Sequence, residues 1–145
     1  QSYGPEARGG ASRSEVIVSD SMIYHPHVEH PDIVLAMTQA AADKYAADLD
    51  PERGILIVDS ELVPNVPAAS HVVSVPITTL AIEQIGKSLF ANIVALGTIT
   101  HVSGIVPLDA VKTAVSHRVP PHTVDANMQA LMVGYEAAEA AVAQK

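Results

Sequence analysis

The 145-residue chain is 48% apolar but only 3% aromatic, contains no cysteine and carries a formal net charge of −8. That length suits one domain burying roughly two-thirds of its unfolded surface, with a core built from Val, Ile, Leu, Ala and Met. The acidity argues against a nucleic-acid surface, no apolar run reaches bilayer length, nothing at the start reads as a signal peptide, and the missing cysteines exclude disulfides and thiolate-bound iron–sulfur clusters on these residues.

Residues 1–13 hold three glycines, two arginines, two serines, a proline and a glutamate, with no apolar periodicity. Such a segment cannot be a packed helix or strand. Its glycines allow backbone N–H groups to converge on an anion, and Arg8 and Arg13 add forked, permanently charged donors. The bland alternative is an arginine- and glycine-rich terminus with no ligand.

Residues 14–19 are β-branched and weakly alternating, which predicts a strand. Residues 20–31, with two prolines and three histidines, predict a loop or an edge hairpin. Residues 32–37, a continuous apolar run after the opening Asp32, have the pattern of a parallel strand buried on both faces. Thr38 is placed to cap an alanine-rich helix over 39–48. A turn over 50–54 leads into a second buried strand at 55–59, and a third lies at 71–75. Pro76 suits the first turn of a helix running to about 85, which Gly86 ends. Apolar helices follow over 91–102, stopped near Gly104, and over 107–117, with Asp109 in its first turn. Pro120-Pro121 breaks the chain before a last helix from Val124 to about Ala143. Strands come first and helices crowd the end. The expected fold is therefore α/β: three-layer, with a mostly parallel sheet flanked by helices and a helical C-terminal half. No internal repeat or linker divides it.

Three constellations carry possible chemistry. His25, His27 and His30, beside Glu29 and Asp32, have the right atoms for zinc or nickel. Loop histidines between prolines are more often simply solvated, and no metal is assigned to them. Asp59-Ser60-Glu61 ends a buried strand, where open α/β sheets place ligand-binding groups; an ordinary turn is the favoured reading. Asn92 opens an apolar helix and is expected to cap it, with contact to a ligand or a neighbouring subunit as the alternative. No Ser/His/Asp set can be assembled from spacing. A Gly-Asp-Gly followed by a distal Asn pair, which would hold the magnesium and pyrophosphate of thiamine diphosphate, is absent. So are a Gly-x-Gly-x-x-Gly and a Walker loop.

The segment QSYGPEARGGASRSEVIVSD resembles the signature loop and following strand of the gamma subunit, or gamma domain, of 2-oxoacid:ferredoxin oxidoreductases. The resemblance continues through Pro31-Asp32-Ile33-Val34-Leu35-Ala36, Gly54-Ile55-Leu56-Ile57-Val58-Asp59-Ser60, Asn92-Ile93-Val94-Ala95-Leu96-Gly97 and Val119-Pro120. It covers nearly all of the chain. The opening motif is specific; the other segments are generic α/β patterns that add weight by their order. Its Arg-Gly-Gly form is nearest the 2-oxoglutarate branch, from which pyruvate-type subunits usually differ at that point.

The resemblance implies a multisubunit, cytoplasmic enzyme that decarboxylates an oxoacid on thiamine diphosphate, sends electrons through iron–sulfur clusters to ferredoxin, and passes the acyl group to coenzyme A. It further implies that thiamine diphosphate, magnesium and the clusters reside on partner chains: the alpha and beta thiamine-binding subunits and a ferredoxin-like subunit. This chain alone would hold no cofactor. The loop residues Tyr3, Gly4, Glu6, Arg8, Gly9, Gly10 and Arg13 are expected to meet either an anion, such as a coenzyme A phosphate or a substrate carboxylate, or carboxylates of a partner subunit.

In that family a first strand, a Gly-Gly-Gln-Gly-type turn and a helix precede the motif. Residues 1–145 thus read as a single gamma-type domain lacking a first βα unit of ~30 residues. An incomplete sheet leaves unpaired edges and apolar surface, so self-association is expected. Rival readings are a pyruvate or other oxoacid type, a stand-alone non-catalytic α/β anion-binding module, and an unrelated nucleotide-binding enzyme.

Overall fold

Three short apolar runs assemble into one parallel sheet in the computed structural model, whose described residues are 13–25 and 27–143. Strands β1 (Ile33–Ala36), β2 (Ile55–Asp59) and β3 (His71–Val75) lie side by side in sequence order, with Leu35 opposite Ile57 and Ile57 opposite Val73. Central β2 is apolar on both faces, as a strand covered above and below must be.

Successive residues of a strand point to opposite faces, and the packing follows that alternation. Leu56 and Val58 pack with Ala36, Ala42, Ala46, Leu49 and Val63 on one side. Ile57, Val73 and Val75 pack on the other with Ile77, Ala81, Val94, Ala95 and Ala130. The result is the expected three-layer α/β arrangement.

The first coat is helix α1 (Gln39–Tyr45), which runs on into a 3₁₀ turn at Ala46–Asp48. Thr38 caps it as the sequence predicts, its Oγ1 accepting from the Ala41 N–H at 3.3 Å. The connection from β2 to β3 contains no helix. It is clamped to α1 by Gln39, whose amide donates to the Asn65 carbonyl at 2.7 Å and accepts from the Asn65 N–H at 3.0 Å.

The second coat is helical from Ile77 onward: α2 (Ile77–Leu80), α3 (Ala91–Ser103), α4 (Leu108–Arg118) and α5 (Val124–Ala143). Gly86 and Gly104 end their helical segments at φ of 89° and 60°, the left-handed region where glycine carries no Cβ penalty. At the centre of this layer α3 and α5 touch backbone to backbone. A Cβ on Gly97 would overlap the Leu131 carbonyl oxygen and come within 2.8 Å of the Tyr135 nitrogen. One on Gly134 would overlap the Val94 carbonyl oxygen and lie 2.7 Å from that carbonyl carbon. Buried Thr98 bridges the two helices, its hydroxyl 3.1 Å from the Val94 carbonyl and 3.2 Å from that of Gly134. Among the described residues, no helix is long and apolar enough to cross a membrane.

Three local expectations need correction. Among the described residues, 14–19 join no strand ladder. Their alternation is real, with Val16 81% and Val18 65% exposed while Ile17 is half-buried, yet among the described residues no strand pairs with them. β propensity describes fit to a pleated, half-buried surface, which this segment lacks. The helix expected up to residue 85 is α-helical only to Leu80 and continues as a π-helical turn, Ala81–Ile85, before Gly86 stops it. Finally, Asn92 caps nothing: α3 begins at Ala91, and the capping position is Phe90, directly after a 3₁₀ turn at Ser88–Phe90.

Candidate functional site

Of the loop residues singled out in the sequence, Tyr3, Gly4, Glu6, Arg8, Gly9 and Gly10 lie outside the described residues, and Arg13 lies within them. Arg13 is already engaged. Its guanidinium is 2.7 Å from Glu15 Oε1 and 4.0 Å from Asp48 Oδ2, and its Cζ sits 5.4 Å from the centre of the Tyr45 ring. Tyr45 ends α1 and Asp48 ends the 3₁₀ turn after it, so this one side chain joins the segment following the opening loop to the first coat of the sheet.

Glu15 is the hub on the other side. Its Oε2 accepts the Val28 N–H at 3.3 Å and lies 3.2 Å from His27 Nδ1. The Val28 amide foremost, then the charge of Arg13 and the nearby His27, hold the Glu15 carboxyl below the usual carboxylate range. A depressed pKa means the clasp is fully formed above the ordinary carboxylate value and is lost as pH falls through the lowered one. Acidification through and below the ordinary carboxylate range should therefore free the Val28 amide. Its NMR shift should titrate in that window and stay flat in Glu15→Gln; an unchanging wild-type shift would count against the clasp.

The histidine cluster does not converge. His27 turns to Glu15, and among the described residues no three His, Cys, Asp or Glu side chains are placed to hold a metal ion.

The carboxyl edge of the sheet, where such folds bind ligands, is occupied by the chain itself. Asp59 is fully buried at the end of β2. Its Oδ2 accepts from the Thr78 N–H at 2.8 Å and the Thr78 hydroxyl at 2.6 Å, while Oδ1 accepts from the Glu61 N–H at 3.1 Å. The favoured turn reading of Asp59-Ser60-Glu61 is thus present, and the same carboxylate also satisfies the start of α2. Sequence reasoning missed that second role because Thr78 lies nineteen positions away. It likewise missed the Arg13–Asp48 contact, for which no local sequence signal exists. A shallow apolar depression of about 440 Å³, bordered by Leu49, Pro51 and Ala69, lies at the opposite edge, before β2 and β3 begin.

Residues 1–137 match the family model described as pyruvate ferredoxin/flavodoxin oxidoreductase. The chain is 42% identical over 144 residues to 2-oxoglutarate synthase subunit KorC of Methanocaldococcus jannaschii, covering 96% of this chain and 75% of that one. Among solved structures it is similar to the gamma subunit of a keto/oxoacid ferredoxin oxidoreductase from Geobacter sulfurreducens, with a TM-score of 0.86 and 45% identity over 97% of this chain and 79% of the other. Pyruvate oxidoreductase subunit PORC of Thermotoga maritima matches less well, with a TM-score of 0.61 and 30% identity over 76% of this chain and 65% of the other.

Proposed function

Because this chain belongs to the pyruvate ferredoxin/flavodoxin oxidoreductase family, we propose that it is the gamma subunit of a 2-oxoacid:ferredoxin oxidoreductase acting on 2-oxoglutarate. The observation that carries the reading is its similarity, over nearly its whole length, to subunits named for 2-oxoglutarate synthase, against a lower identity to the pyruvate-type structure. Those relatives are named as subunits, so a stand-alone anion-binding module is not favoured.

The cofactors of such an enzyme do not fit these residues. There is no cysteine to ligate a cluster, and no group of three acidic or imidazole side chains converges among the described residues. We therefore assign thiamine diphosphate, magnesium and the iron–sulfur clusters to alpha, beta and ferredoxin-like partner subunits of a cytoplasmic complex, with ferredoxin and coenzyme A as its further partners. This subunit's part is to present the loop of Tyr3, Gly4, Glu6, Arg8, Gly9 and Gly10 to an anionic group, a coenzyme A phosphate or the oxoacid carboxylate.

Coexpression with the partner subunits tests the assignment. The assembled complex should reduce ferredoxin with 2-oxoglutarate and coenzyme A, while this chain alone should not. Arg8→Lys keeps the charge but loses the planar fork, so it and Arg8→Ala should both raise an apparent KM, the alanine variant by more than about tenfold. Weaker assembly with unchanged constants would mean that the loop meets a partner carboxylate instead. Turnover by the chain alone would overturn the assignment.

A further inference from the structure

We propose that Arg13 is a positioning residue, an anchor that pins the end of the opening loop to α1 rather than a donor to the loop's ligand. The inference rests on the loop having the role given above, and it divides the labour between two arginines that composition cannot tell apart.

The geometry supports this in two ways. First, the guanidinium is committed on several sides: Glu15 at 2.7 Å, Asp48 at 4.0 Å and the Tyr45 ring at 5.4 Å. Two carboxylates flank one cation, so an approaching phosphate or carboxylate would meet repulsion from Glu15 and Asp48 and would have to displace the shorter ion pair. Second, the hub is itself held. Glu15 is only 24% exposed at its side chain and takes the Val28 amide, which lies past the whole 16–27 excursion. Both ends of that excursion are therefore gathered at one carboxylate, and Arg13 fastens the assembly to the body.

Exposed ion pairs are individually weak. Anchoring needs little, because a loop that spends only a fraction of its time in the binding geometry weakens apparent affinity by that fraction.

Neutral variants separate an anchor from a ligand contact, since Glu15 and Asp48 cannot bind an anion. Arg13→Gln, Glu15→Gln and Asp48→Asn should each speed hydrogen exchange at Val28, whose N–H is the amide that Glu15 holds, by about twofold to fivefold. In the assembled enzyme all three should raise the apparent KM of the same ligand by a similar factor, about threefold to tenfold, with kcat little changed. Pairwise combinations should be no worse than the worst single variant, because each breaks the same link. Arg13→Lys should restore part of the effect.

If Arg13→Gln raises KM while Glu15→Gln and Asp48→Asn leave it unchanged or lower it, Arg13 touches the ligand and the anchor is overturned. Unaltered exchange in all three variants overturns it as well. If exchange quickens in all three but kinetics and assembly match wild type, and Arg8→Ala is also wild type, the anchor stands and the loop's proposed role falls.

Discussion

Alanine at Gly97 or Gly134 is expected to destabilise the protein by on the order of 3 kcal/mol each, lowering Tm by roughly 10 °C. The sign is diagnostic. In an open helix, glycine to alanine is stabilising by up to about 1 kcal/mol. Here each new methyl would overlap a carbonyl oxygen of the facing helix, Leu131 for Gly97 and Val94 for Gly134, so backbone and not a flexible side chain must move. That movement also stretches the Thr98 hydroxyl away from the Gly134 carbonyl. The double variant should fall short of the sum, because the first methyl has already parted the helices that the second would part. Gly104→Ala provides the contrast. Nothing lies within 4 Å of its Cβ position, so its penalty is only the left-handed backbone, about 1–2 kcal/mol. Urea unfolding of the three single variants measures all of this, and a neutral or stabilising Gly97→Ala would mean that α3 and α5 do not meet as described.

The second large effect belongs to Asp59. Asp59→Ala removes a fully buried carboxylate and strands the Thr78 N–H and hydroxyl together with the Glu61 N–H. Buried donors left without an acceptor cost about 1–3 kcal/mol each, although Thr78 sits near enough to the surface to recover part of that from water. A loss of about 2–4 kcal/mol is expected. Asp59→Asn should lie between alanine and wild type, since an amide keeps one acceptor oxygen and turns an NH₂ towards donors that need an oxygen. Thr78→Val should cost less again, as it removes one donor along with its bond. Equal stability of Asp59→Ala and wild type would show that this carboxylate is held open for something other than the start of α2.

Much of the fold was legible because the sequence is locally consistent. The apolar run at 55–58, ended by Asp59, has the length and β-branched content of a strand covered on both faces, Thr38 precedes a run of alanines, and Gly86 and Gly104 stand where helical segments stop. The misses fall where the deciding partner is remote or missing. Val16 and Val18 alternate like a strand, but a ladder depends on a neighbouring edge, which no propensity encodes. The glycines of α3 and α5 read as weak helix formers until their facing backbones are known. For the candidate site, the composition of residues 1–13 singles out Arg8 and Arg13 as donors, and of the two only Arg13 lies among the described residues. That composition did not separate Arg8 from Arg13, because the groups that hold Arg13 are contributed by Glu15 nearby and by Tyr45 and Asp48 more than thirty positions on.

The contact between α3 and α5 also bears on how the chain is made. The coat on the α1 face of the sheet draws on buried residues between Ala36 and Val63, all close together along the chain. The opposite coat includes Ala130, and its two central helices lock only when Gly134 reaches Val94, forty positions upstream. Domains emerge from the ribosome amino end first, at about 5–20 residues per second, and loops that close late slow folding. One side of the sheet can therefore be sealed while synthesis is under way. The other can begin to close over Ile57, Val73 and Val75 with Ile77, Ala81, Val94 and Ala95, but its packing is completed only when Ala130 of α5 has been translated.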